Sequence, residues 1–327
     1  MQQRILGRTG RSVGVVGLGA WQLGADWGQV SEDDALQTLD AALAAGVTFI
    51  DTADVYGDGR SEQIIGRLLR ERPDAGLTVA TKMGRRVALD PALYTLDNFR
   101  AWTDRSRGNL GVETLDLVQL HCPPEAVYSS PAVYDALEAL VAEKRIAAYG
   151  VSVESCDQAL TAIARPGVAS VQIILNAFRL KPLDRVLPGA LAAGVGVIAR
   201  VPLASGLLSG KYDASTTFAA EDHRSYNRHG EAFDVGETFS GVDFATGLEA
   251  VRRLVPLVPE GMTTAQFALR WIIDQPGLGV VIPGARNPAQ ARSNAAAAAL
   301  PSLATETHNA VRRVYDELVW PLVRDKW

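Results

Sequence analysis

The sequence predicts an α/β chain folded as a (β/α)8 barrel, the TIM-barrel architecture, as a single unit over residues 1–327. Three observations carry that expectation. Eight short runs rich in Val, Ile and Leu recur along the chain, and their near-continuous apolar character suits strands covered on both faces. Helix-patterned segments separate them, and strict βα alternation makes a parallel sheet. The first strand-to-helix turn, "GLGAWQLG", fails as a dinucleotide fingerprint because Gly17-Leu18-Gly19 is followed by Ala20, Trp21 and Gln22. A doubly wound open sheet would want that fingerprint.

The chain opens on a hairpin-like stretch, "RILGRTGRSV", with Thr9-Gly10 as its turn. The strands then read, in order, "GVVGLG", "VTFID", "LTVATK", "LDLVQLH", "IAAYGVS", "SVQIILN", "GVGVIAR" and "LGVVIPG". In the first helix, "SEDDALQTLDAALAAG", Leu36, Leu39 and Leu43 fall on one stripe. Ser31 with Asp34 resembles a capping box, and Gly46 lies just past the end. Later helices are expected at "SEQIIGRLLR", "TLDNFRAWTDRSRGNL", "PAVYDALEALVAE", "SCDQALTAIA", "PLDRVLPGALAA", "TTAQFALRWIID" and "NPAQARSNAAAA". Two additions stand outside the eight units. Residues 204–242 form a long polar loop after strand seven, expected to serve as a lid or cofactor clamp. Extra C-terminal helices near 243–256 and 303–318 are expected to pack outside the barrel or to close its bottom.

At 327 residues the chain exceeds a simple one-domain length, as α/β barrels routinely do. It is 47% hydrophobic and 21% charged, ordinary globular usage. A net charge of −5 offers no electrostatic handle for nucleic acid or an anionic membrane. Cys122 and Cys156 are too few for a disulfide framework, so a reduced, cytoplasmic setting is expected. The N-terminal stretch "MQQRILGRTGRSVG" has no signal-peptide core. No run approaches the roughly 18 apolar residues of a membrane span.

Reacting groups of such barrels sit at the carboxyl ends of the strands. Here those positions hold Asp51, Lys82, His121, Ser152, Gln172 with Asn176, Arg200 and Gly284. Singly, each reads equally as a cap, a solvated strand stop or a loop residue. As a set they differ, because Asp51, Lys82 and His121 end neighbouring strands and must share one mouth. Asp51 can fix the Lys82 ammonium, and the glycine-rich turn "DVYGDGR" can return Tyr56 over both. A unit charge about 4 Å away is worth roughly 4 kcal/mol at an effective dielectric of about 20. The expectation is therefore a lowered phenol pKa, suited to protonating a developing alkoxide. His121 would orient a carbonyl oxygen beside the phenol.

With those residues in hand, the sequence resembles the aldo-keto reductases over nearly its whole length. The matching pieces are "LGRTG", "GLGAWQLG", "DTADVYGDGRSEQIIG", "TKMG", "DLVQLHCPP", "YGVSVES", "PLASGLLSGKY", "ALRWIID" and "IPGARNPAQARSNA". The resemblance implies the same barrel, NADPH (NADP+) as cofactor and a small-molecule carbonyl or alcohol as substrate. It implies a catalytic tetrad of Asp51, Tyr56, Lys82 and His121, with Tyr56 as general acid. Ala20 and Trp21 would contact the cofactor, and Ser152 and Gln172 would hold its nicotinamide carboxamide. Pro202, Leu203, Gly206 and Lys211 would cross the pyrophosphate. Gly284 and Arg286 would take the adenosine phosphate, a guanidinium suiting a 2′-phosphate, and Gln290 and Asn294, one helical turn apart, would face the adenine. Substrate contacts would come from Trp21, Tyr56 and His121, with Trp27, Met83, Arg85, Cys122 and Tyr226 as further wall candidates.

Three departures from the family pattern lie around the cofactor. Val153 follows Ser152 where the family often has asparagine, Arg200 stands where an aromatic commonly stacks on the nicotinamide, and Ser293 replaces a frequent acidic residue. Two rival functions remain to be weighed. A Schiff-base lyase built on Lys82 conflicts with Asp51, which would keep the amine protonated. A cofactor-sensing regulator of the same fold would be expected to carry an N-terminal extension, so the direct start at the hairpin favours an enzyme. His223 and His229 lack a third ligand at metal spacing, and no metal is expected.

Overall fold

The computed structural model describes residues 1–24 and 30–327; Trp27 lies outside them. Eight parallel strands form one sheet in sequential order: β3 (Leu18–Gly19), β4 (Phe49–Asp51), β5 (Thr78–Met83), β6 (Leu117–His121), β7 (Tyr149–Ser152), β8 (Val168–Ile174), β9 (Gly196–Arg200) and β10 (Leu278–Val281). Parallel bridges Val16↔Val281 and Gly19↔Gly284 join the last strand to the first and close the barrel. This is the expected (β/α)8 fold. Each expected helix is present, except that the one expected over 182–193 is broken at Arg185 into Lys181–Asp184 and Val186–Ala193; local chemistry sets the starts. Ser31 caps Glu32–Ala44 by accepting from the Asp34 N–H, and Thr263 with Gln266 forms a reciprocal capping box on Thr264–Ile273.

Two hydrophobic clusters separate the layers. The larger lies between strands and helices, and includes Ile50, Val79, Val118 and Val151. The smaller fills the barrel interior with Leu6, Phe49, Ala80, Leu117, Ile198 and Val280. Alternate residues of a strand share a face. Inward positions therefore step from Phe49 to Asp51, from Ala80 to Lys82, from Leu117 through Gln119 to His121, and from Ile198 to Arg200. The barrel is apolar at its amino-terminal end and polar at its carboxyl mouth.

The amino-terminal end is plugged by the hairpin of β1 (Gln3–Ile5) and β2 (Ser12–Gly14). Leu6 is fully buried in the interior cluster, and Arg4 donates to the Leu278 and Ile273 carbonyls at 2.9 and 2.8 Å. Gly7 makes this approach possible: its φ is +48°, and a Cβ there would lie 2.0 Å from the Gly196 nitrogen. The C-terminal helices Phe244–Leu254 and Thr305–Val314 pack on each other outside the barrel. The hairpin, not they, closes the bottom.

The segment 204–242 departs from the polar lid expected of it. It contains short helical turns at Ala204–Ser209, His223–Tyr226, Val235–Glu237 and Phe239–Gly241. It also has its own aromatic core, in which Phe218 contacts Tyr212, Phe239 and Phe244. Periodicity missed it because these aromatics are scattered among polar residues and meet only in three dimensions.

Candidate active site

At the carboxyl mouth, Asp51, Lys82, Tyr56 and His121 come together as expected. Lys82 is 1% exposed, and its Nζ makes a 2.5 Å ion pair with Asp51 Oδ1. It also donates to the Thr52 carbonyl at 2.8 Å and to the Tyr56 hydroxyl at 3.3 Å. The Tyr56 turn is held against Gly24, where a Cβ would lie 2.7 Å from the Tyr56 carbonyl carbon. Tyr56 and His121 meet edge to face with centroids 5.9 Å apart. Two glutamines extend the group. Gln119 and Gln172 donate to Asp51 Oδ2 at 3.2 and 2.7 Å, so both oxygens of this buried carboxylate are engaged. Gln119 is an inward residue in the middle of β6, and a search restricted to strand ends passes over it.

The electrostatics correct one expectation. Burial works against the Lys82 charge, but Asp51 and Tyr56 outweigh it and hold the ammonium's pKa above its ordinary value. The Tyr56 phenol is not lowered: burial raises its pKa, Lys82 opposes this, and the carboxylates of Asp51 and Glu237 raise it further. The sequence argument counted the cation and neither the burial, which is the largest cause, nor the two anions that accompany it. His121 is driven well below the usual imidazole value by burial and by Arg85, Lys82 and Arg200. Its ring is neutral at physiological pH, and Nδ1 has no hydrogen-bond partner among the described residues.

From this group a cleft of about 840 Å³ runs across the mouth. Asp51, Tyr56 and His121 line its inner end with Ala20, Trp21, Ser152, Gln172 and Arg200, and Lys82 sits behind Tyr56. Pro202, Leu203, Gly206 and Lys211 line the cleft too, as do Gly284, Arg286, Gln290 and Asn294. Several of these carry protein bonds that the sequence did not foretell. The Gln172 amide is committed to Asp51, Asn294 donates to the Gly284 carbonyl at 3.1 Å, and Gln290 accepts from the Arg286 N–H at 2.8 Å. Arg200 is pinned, ion-paired with Glu237 and donating to the Val153 carbonyl at 2.9 Å.

The wall candidates divide. Trp21 stacks on Tyr56 at 5.9 Å and 17°, and Arg85 lines the cleft while paired with Glu154 at 2.7 Å. Met83 is buried in the helix-side core, and Cys122 lies behind Arg200 and Ser152. Tyr226 packs edge-on against Phe233, and Phe233 is the residue that faces the cleft. Phe233, Glu237 and Gln22 are lining residues that the sequence did not single out. The first two arrive on the 204–242 segment, whose path no local pattern encodes.

Asp54, two residues before Tyr56, is 2% exposed, and its Oδ1 has no partner among the described residues. Burial, with Glu62 nearby, pushes its carboxyl to about 7 against the opposing pull of Arg86 and Arg105. A raised native pKa means the folded state holds the proton more tightly. Its stabilising contribution is then complete below the unfolded value near 3.9 and is lost as pH rises through about 7. Asp54→Asn, neutral throughout, should gain stability relative to wild type between about pH 4 and about pH 8 in urea unfolding. A constant difference across that range would contradict the shift.

Comparison with known proteins follows the geometry. A model of the Aldo/keto reductase family matches residues 15–316. The aldo-keto reductase YhdN of Bacillus subtilis is 31% identical over 300 residues, covering 89% of this chain and 86% of that protein. The solved structure of the glycerol dehydrogenase AKR11B4 from Gluconobacter oxydans superposes with a TM-score of 0.77 at 32% identity, covering 94% and 93% of the two chains. An aldo/keto reductase from Klebsiella pneumoniae, solved with NADP and acetate, shares the fold at TM-score 0.69 and 23% identity, over 93% and 92% of the chains.

Proposed function

Because the chain belongs to the aldo/keto reductase family, we propose that it is an NADP(H)-dependent oxidoreductase that reduces a neutral aldehyde or ketone, or oxidises the corresponding alcohol. One observation carries this reading: a buried Asp51–Lys82–Tyr56 contact opens into a cleft whose charges are arranged unequally. At the inner end each cation has an anion, Lys82 with Asp51, Arg85 with Glu154 and Arg200 with Glu237. Along the rest of the cleft, Lys211 and Arg286 are exposed and form no ion pair among the described residues. The donor set fits an elongated anionic cofactor whose uncharged end lies by Tyr56. The helix Pro288–Ala296 starts beside Arg286, and its positive end favours an anion there.

NADPH held there would supply the hydride for the carbonyl carbon. The protein's part is charge and position. Tyr56 gives its hydroxyl proton to the carbonyl oxygen as that oxygen becomes an alkoxide. Lys82, kept charged by Asp51, stabilises the resulting phenolate, and Gln119 and Gln172 hold Asp51 in turn. His121, neutral, donates one ring N–H to the same oxygen. With the inner cations already paired, a substrate carboxylate would find no free partner, so uncharged carbonyls are favoured.

The test is NADPH consumption against reactive aldehydes, α-dicarbonyls and keto-sugars. Turnover supports the reading; tight NADPH binding without turnover of any carbonyl would support a cofactor-sensing role instead. Arg286→Ala should weaken NADPH binding about 10- to 100-fold, the loss expected for charge-assisted hydrogen bonds to a phosphate. NADH binding should stay unchanged. Equal loss for both cofactors would remove Arg286 from the 2′-phosphate.

A further inference from the structure

We propose that Asn176 is a positioning residue that governs cofactor affinity from outside the cleft, by joining two strained backbone segments that roof it. The proposal rests on the NADP(H) reading. Asn176 follows β8 by two residues, is fully buried and does not line the cleft. Every bond its amide makes is to protein. Oδ1 accepts from the Phe178 N–H at 2.8 Å, while Nδ2 donates to the Val201 carbonyl and the Ser240 hydroxyl, each at 2.8 Å.

The two segments it joins are unusual. Of nine non-glycine residues with positive φ among the described residues, five lie on them: Val201 (51°), Ala204 (45°) and Ser205 (53°) on one, Phe239 (53°) and Ser240 (57°) on the other. A β-branched residue such as Val201 is a true outlier there. Such conformations persist only where the surroundings over-determine them, and they gather at ligand clamps. Ser205 makes the second tie, donating to the Glu237 carbonyl at 2.7 Å and accepting from the Phe239 N–H at 3.1 Å. The first segment brings Pro202, Leu203 and Gly206 to the wall of the cleft, and the second brings Glu237 to Arg200. A third hold comes from the C-terminus, where Lys326 Nζ donates to the Gly241 carbonyl at 3.1 Å.

Asn176→Asp keeps the shape and the acceptor for Phe178 but sets a carboxylate oxygen against the Val201 carbonyl. The Ser240 hydroxyl can rotate and donate; a carbonyl cannot. The effect should therefore concentrate on the 201–206 segment. In fluorescence titration, NADPH Kd is expected to rise about tenfold or more in Asn176→Asp and about threefold in Ser240→Ala. Turnover at saturating NADPH should stay within about threefold of wild type, because the Tyr56–Lys82 contact is untouched. A merely structural role would lower the unfolding midpoint and leave Kd alone at temperatures well below it. Folded Asn176→Asp with wild-type Kd overturns the proposal. If that variant fails to fold, an unchanged Kd in Ser240→Ala overturns it. Wild type that binds no NADPH overturns the underlying reading instead.

Discussion

Tyr56→Phe is expected to lower carbonyl reduction by about two to four orders of magnitude, the range by which a positioned acid acts, with NADPH affinity changed little. The substitution removes one oxygen. It leaves the ring stacked on Trp21 and edge-on to His121, and it leaves Lys82 with Asp51 and the Thr52 carbonyl as partners. Single-turnover rates with saturating NADPH should carry the whole loss, because the missing proton is transferred in the chemical step. The direction of the Tyr56 shift adds a second expectation. The raised phenol pKa keeps Tyr56 protonated through neutral and mildly alkaline pH, so reduction should hold its rate there and fall only at strongly alkaline pH. Unchanged turnover in Tyr56→Phe would remove Tyr56 as the acid.

Lys82→Met is expected to abolish turnover to at least the same degree and also to destabilise the fold by about 3–5 kcal/mol, the usual consequence of stranding a buried charge. Asp51 is 3% exposed, and without Lys82 its carboxylate retains only the Gln119 and Gln172 amides. The companion Asp51→Asn/Lys82→Met removes both charges. It should recover most of the stability and none of the activity. A double-mutant cycle in urea reads the coupling directly. If the single and double variants were equally stable, the pair would not be the buried, mutually dependent contact that the 2.5 Å separation describes. Recovered activity in the double variant would separate Lys82 from the chemistry.

The barrel could be read before folding because its signals are local. Eight apolar runs, the Ser31 cap and the Thr9-Gly10 turn each depend on neighbours within a few residues. The approach of Asp51, Lys82 and His121 follows from strand order: inward positions alternate along every strand, and adjacent parallel strands are about 4.8 Å apart. Three neighbouring strands ending in polar residues must therefore present them together. Arg200 belongs to the same inward series, and its position at the mouth was likewise foreseeable.

What folding alone decided is long-range. Gln172 reaches Asp51 across 121 residues of chain and Gln119 across 68, and no periodicity encodes such a pairing. The Tyr56 phenol moved opposite to expectation because its pKa sums over burial and every nearby charge, including Glu237 on a distant segment. Residues 204–242 looked polar because their aromatics are spaced irregularly, and only the packed chain makes a core of them. The sequence thus determined the barrel and the residues at its mouth. Tertiary structure determined which of those residues are free to meet a ligand and which are already held by protein, because burial and electric field are properties of the assembled whole.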